Sequence, residues 1–135
     1  MTGSARIWAM LAGLSGALAV AVSAWASHGL ARRFPPELLE RAVQQAQSAT
    51  RMHLVHSLLL LVLALWMQRQ PGRWLDAAAV LCLAGIVLFC LGIYVLHLWW
   101  PPLGVTALRQ LVPLGGVAFI LAWLAAAAAA ARAGS

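Results

Sequence analysis

Residues 75–99 read LDAAAVLCLAGIVLFCLGIYVLHLW, and this stretch decides the fold. It holds one acid, Asp76, near its start, and no lysine or arginine. As a helix it would rise about 37 Å, more than the roughly 30 Å of a bilayer's hydrocarbon core, so it can span with some tilt. Trp99-Trp100-Pro101-Pro102 ends it: tryptophan favours the headgroup level and two prolines stop a helix.

Working outward, three more segments have the same character. Residues 111–131 form a fourth span that closes in an alanine run before Arg132. On the other side, Pro71-Gly72 sits in a tight connection over 68–73. The apolar run Met52 to Met67 precedes it and needs extension to about 48–68 to cross. Residues 7–26 make a first span of about 30 Å. A secretory signal peptide is the competing reading there, with Arg6 as its charged end and Ala24-Trp25-Ala26 as its cleavage site. The stretch is longer than the usual 7–15-residue apolar region of such a signal, which favours the helix. Between the first two spans, Pro35-Pro36-Glu37 reads as a helix start. The amphipathic stretch 36–47 then predicts an interfacial helix, able to run unbroken into the second span.

Composition agrees. Charged residues make up 9% of the chain and apolar ones 64%, against about 25% and 45–50% in soluble domains. Such a chain cannot cover a water-soluble globule, and the expectation is an all-α integral membrane protein. Its predicted architecture is a four-transmembrane-helix bundle, a single domain in the plasma (inner) membrane of a bacterium. All nine basic residues are arginine and the net charge is +6. No basic run with interleaved aromatics forms a groove, so nucleic acid is excluded as a partner. The arginines flank apolar segments, where lipid headgroups are their natural contacts.

The tryptophans support the threading. Trp8, Trp66 and Trp74 fall on one side, Trp25, Trp99 and Trp100 on the other, and only Trp123 lies well inside a span. Orientation is undecided by the positive-inside rule: Arg6, Arg69, Arg73 and Arg132 face five arginines opposite. For packing, small residues let helices approach closely in lipid. Gly13, Gly16, Ala17 and Ala21 on the first helix, Gly85 and Gly92 on the third, and Gly115, Gly116, Ala118, Ala122 and Ala126 on the fourth are the candidates.

The chemistry-bearing residues are few. His28, His53, His56 and His97 all map to one membrane side, with His53 at or slightly below the interface. His53 and His56 share a helix face, as do Cys90, Tyr94 and His97. If they converged, imidazole and thiolate could bind zinc, copper or a haem iron, with His28, His53 and His56 as the metal candidates. The plainer reading is hydrogen bonding between helices by a polar cluster of His28, Gly29, Arg51, His53, His56, Ser57 and Tyr94. No acid sits mid-span, which disfavours ion-coupled transport. Ser27-His28 and His56-Ser57 are sequence neighbours that do not face each other on a helix, so no nucleophile–base pair is evident. Cys82 and Cys90 stand about 12 Å apart along one helix, too far for a disulfide.

A family resemblance joins these residues. Gly16-Ala17 followed by Ser27-His28-Gly29-Leu30, then Ala49-Thr50-Arg51-Met52-His53-Leu54-Val55-His56-Ser57-Leu58, resembles the domain-of-unknown-function 423 family, the YgdD-like small membrane proteins related to transmembrane protein 256. Gly85, Leu88-Phe89-Cys90 and Tyr94 look like that family's third helix, and Pro113-Leu114-Gly115-Gly116 with Trp123 like its fourth. The resemblance implies four membrane helices and no established activity. It marks His28, Gly29, His56, Pro113, Gly115 and Gly116 as family-like. His97 departs from the pattern, and position 90 is often serine in it, which leaves His28 and His56 as the pair to bond the first helix to the second.

The expected function is that of a non-enzymatic accessory or structural membrane protein, without a predicted cofactor. Its partners would be the lipid bilayer and either a second copy or another membrane protein. The alternatives are a metal- or haem-binding protein using the histidines, and a carrier of a lipid or apolar small molecule.

Overall fold

The computed structural model describes residues 3–99 and 109–133, and among these every regular element is helical. Four helices are long and apolar enough to cross a bilayer: α1 (Gly3–Arg33), α2 (Pro36–Arg69), α3 (Arg73–Trp99) and α4 (Leu111–Ala133). The spans read from the sequence each fall within one of them. The ending of the third span at Trp100, Pro101 and Pro102 lies outside the described residues.

Two helices run further than the apolar stretches alone suggest. α1 continues through Ser27–Arg32 to Arg33, and its last turn is followed by a bond from the Phe34 amide to the Leu30 carbonyl (3.0 Å). Pro35 then takes an extended conformation and Pro36 occupies the first turn of α2, with Glu37 at the positive end of the dipole. The amphipathic stretch 36–47 is the first third of α2 rather than a separate element, because nothing between Gln47 and Thr50 interrupts helical bonding. At 34 residues α2 is about 51 Å long, so it extends beyond a roughly 30 Å core, and its Pro36 end carries the α1–α2 hairpin out of the hydrocarbon.

α2 is the central helix. Half the residues in its most apolar window are buried, against 11% in that of α1, which turns most of its surface outward. α1 packs on α2 through Ala5, Ala12 and Ala19, a seven-residue repeat that brings one helix face against the next. This corrects the predicted packing face: Gly13, Ala17 and Ala21 are exposed, and a methyl group added at Gly13 would meet nothing within 4 Å. Gly16 is looser than expected, since a Cβ added there would lie 3.9 Å from the Ser57 Cβ, an ordinary contact.

The α3–α4 pair is tighter. A Cβ at Gly115 would strike the Phe89 backbone, and one at Gly85 would strike the Phe119 ring. A Cβ added at Gly92 would strike the Val112 side chain, while one at Gly116 would lie 4.0 Å from the Phe89 ring, at the loose edge of the contact. Ala118 and Ala122 are buried on the same face of α4.

α3 is α-helical over Arg73–Gly85 and turns π-helical over Ile86–Leu91 and Ile93–Trp99. Six of its buried residues, Ala78, Cys82, Ile86, Cys90, Tyr94 and Leu98, form a row spaced by four throughout. In a pure α-helix such a row drifts by about 40° per step, roughly 200° over its length, and would leave the core. π turns are wider and drift the other way. Their mixture keeps the row straight and delivers Tyr94 to α2.

Candidate functional site

The polar side chains within the spans gather around α2. Ser15, half-buried on α1, places its Oγ 2.9 Å from His53 Nε2 and 2.7 Å from Ser57 Oγ. The other nitrogen of His53, Nδ1, lies 3.0 Å from the Tyr94 hydroxyl of α3. Tyr94, His53, Ser15 and Ser57 therefore form one hydrogen-bonded row through three helices. Hydroxyls both donate and accept, so a neutral imidazole satisfies every contact.

His56, one turn further along α2, serves the opposite side. Its Nδ1–H donates to the Met52 carbonyl (2.7 Å), and its Nε2 accepts the Trp123 indole N–H of α4 (3.2 Å). Only a neutral ring protonated at Nδ1 meets both demands. The ring stacks on Phe119 with centroids 3.6 Å apart, and Phe119 meets Phe89 edge-on. The Cys82 thiol donates to the His56 backbone carbonyl at 3.1 Å, tying α3 to the same turn. In lipid no water competes for these groups, so each must find its partner within the protein.

Depth follows from Ser15. It lies near the middle of the first apolar stretch, 7–26, so His53 and Ser57, bonded to it, lie close to the bilayer's midplane. This corrects the interfacial depth expected of His53, because rise counted back from the end of the apolar run at Met67 takes no account of the α1 partner that holds the imidazole deeper. His28 is thirteen residues beyond Ser15 on the same helix, about 20 Å away along the axis, and exposed.

The structure accordingly does not bring His28 to His53 and His56. Among the described residues no group of three or more His, Cys, Asp or Glu side chains is placed to hold a metal ion. Both ring nitrogens of His53 and of His56 are engaged by protein groups. The expected bond between His28 and His56 is replaced by Ser15 with His53 and Ser57. Arg51 is exposed, away from the polar row, and Gly29 abuts the Trp25 indole of its own helix. His97 turns from Cys90 and Tyr94 toward α2, with its Nδ1 3.2 Å from Gln45 Nε2. Ser15 and the role of Trp123 were missed. The available signal was cost: a hydroxyl or an indole N–H at mid-membrane needs a partner.

Sequence comparison places this architecture. The model of a family described as "Protein of unknown function (DUF423)" matches residues 22–116, and the chain belongs to that family. The UPF0382 membrane protein YwdK of Bacillus subtilis (strain 168) is 31% identical over 128 residues, covering 94% of this chain and 98% of that protein. The UPF0382 inner membrane protein YgdD of Escherichia coli (strain K12) is 29% identical over 127 residues, 89% of this chain and 86% of that one. No solved structure matches the chain. The protein is an integral membrane protein of a family to which no activity is assigned.

Proposed function

We propose that the protein is a non-enzymatic membrane component that works through its outer helix faces, on lipid or on a membrane-protein partner, a second copy included. The observation that carries this reading is the mutual use of the polar groups within the spans. Ser15, His53, Ser57, Tyr94, His56 and Trp123 hydrogen-bond one another from helix to helix, the usual service of polar groups in membrane bundles. A substrate or metal centre would have to break those bonds first. The large outward surface of α1 supports the same reading.

The test is native mass spectrometry of the full chain released from its own membranes, alongside His53→Gln and His56→Gln variants. The expected result is lower stability in both variants, with no stoichiometric metal or haem mass in any form. A metal or haem bound one-to-one, and lost in a variant that still folds, would overturn the reading.

One observation favours carriage of an apolar molecule as a second reading. A cleft of about 310 Å³ runs between α1 and α2, walled by Leu30, Val43 and Ala46. Two of its hydroxyls are turned to their own helices, Ser27 to the Ser23 carbonyl and Thr50 to the Ala46 carbonyl. Ser27→Phe, which fills the cleft, should then abolish copurification of a fixed apolar ligand, whereas an unchanged ligand content would remove this reading.

A further inference from the structure

At the end of the bundle where the α1–α2 hairpin projects, α2 and α3 frame a second cleft, of about 230 Å³. Arg41, Gln45, His97 and Arg109 line it, and Phe34 and Leu38 form an apolar wall. No acid lines it. Arg41 makes no ion pair among the described residues, and the nearest acids in sequence, Glu37 and Glu40, are exposed on α2. Gln45 Nε2–H donates to His97 Nδ1 at 3.2 Å, which leaves Nε2 of the neutral ring as its N–H donor. The Arg109 guanidinium is held on α3 by a bond of 3.4 Å to the Leu96 carbonyl. The cleft thus offers donors and positive charge from two helices and the residue leading into α4.

Its depth selects the ligand. His53 marks the neighbourhood of the midplane, and Gln45 and Arg41 precede it on α2 by eight and twelve residues. Those separations correspond to about 12 and 18 Å of rise. The hydrocarbon core ends about 15 Å from its centre, so the polar lining straddles the boundary where phospholipid phosphates lie. Basic pockets between membrane helices at this level suit anionic headgroups, and arginine fits phosphate oxygens in paired hydrogen bonds. We propose that this cleft is a specific site for the phosphodiester headgroup of an anionic phospholipid, held chiefly by Arg41 and Arg109 with Gln45 and His97 as neutral donors. The inference does not depend on the non-enzymatic role argued above, since a lipid held here would be compatible with any activity.

The experiment is native mass spectrometry of the full-length protein in mild detergent, titrated with phosphatidylglycerol or with phosphatidylcholine. The wild type should retain one phosphatidylglycerol in preference to phosphatidylcholine, and Arg41→Gln/Arg109→Gln should lower that retention about tenfold or more, as expected for lost charge-assisted bonds. Arg69→Gln/Arg73→Gln, at the opposite membrane face, should leave it unchanged. Gln45→Glu, which sets a carboxylate in the cleft while keeping both arginines, should weaken retention likewise, and it decides the matter if the double variant does not fold. Equal retention of the two lipids would overturn the proposal, and so would retention that survives Gln45→Glu. Displacement of the bound lipid by millimolar inorganic phosphate would also overturn it, by assigning the cleft to a soluble anion.

Discussion

The two ends of the helix order solve the same problem differently. α1 meets α2 across a polar contact, Ser15 with His53 and Ser57, between faces lined by alanine. α3 meets α4 across glycine, with Gly115 against the Phe89 backbone and Gly85 under the Phe119 ring. Inside lipid neither pair gains from leaving water, so each relies on what remains, hydrogen bonds in one case and close van der Waals packing in the other. The lesson is that the polar pair should tolerate substitution and the glycine pair should not, because a lost interhelical hydrogen bond costs less than a wedge between backbones.

That contrast can be broken at four points, measured as reversible unfolding in mixed micelles or bicelles. The largest effect is expected at Phe119→Ala, about 3 kcal/mol of destabilisation, from the cavity left beneath His56 and beside Phe89. Gly115→Ala should follow at about 2 kcal/mol, since the new methyl meets backbone that cannot rotate aside; a neutral result would show that α3 and α4 separate freely. Ser15→Ala removes both hydrogen bonds that Ser15 makes to α2, yet about 1 kcal/mol is expected on the scale of membrane hydrogen bonds. A double-mutant cycle of Ser15→Ala with Ser57→Ala sharpens this, because the two changes should be less than additive. Gly13→Ala should move stability by no more than about 0.5 kcal/mol, and a large loss there would mean that the outward face of α1 is covered after all.

The four spans were legible because a run of about 20 apolar residues declares itself without reference to any partner. Tryptophans at the segment ends confirmed the threading for the same reason. Gly85, Gly92 and Gly115 were also visible as small residues, but which face of α1 packs was not. In an Ala- and Gly-rich helix, 13–17–21 and 5–12–19 look alike until α2 is placed beside them. The histidines were found and their depth was not, since depth depends on Ser15, whose hydroxyl signals that it needs a partner inside lipid but not which helix supplies one. The π turns of α3 left a trace in the unbroken spacing of Cys82, Ile86, Cys90, Tyr94 and Leu98. That trace becomes readable only once burial shows that all five face inward.

The row from Tyr94 to Ser57 can be traversed in either direction. In one setting Ser57 donates to Ser15, Ser15 to His53 Nε2, and His53 Nδ1–H to Tyr94; in the other, Tyr94 donates first and every hydrogen lies on the opposite partner. The heavy atoms hold the same places and the net charge is zero in both. The row is thus a reversible dipole with two settings, strung mainly from helix to helix, and a transmembrane voltage has little grip on it. His56 has no such freedom, because the Met52 carbonyl cannot donate and the Trp123 indole cannot accept. Nitrogen-15 spectra of the labelled protein should therefore show one tautomer for His56 and two for His53, and a single His53 tautomer would mean that a charge outside the row sets its direction.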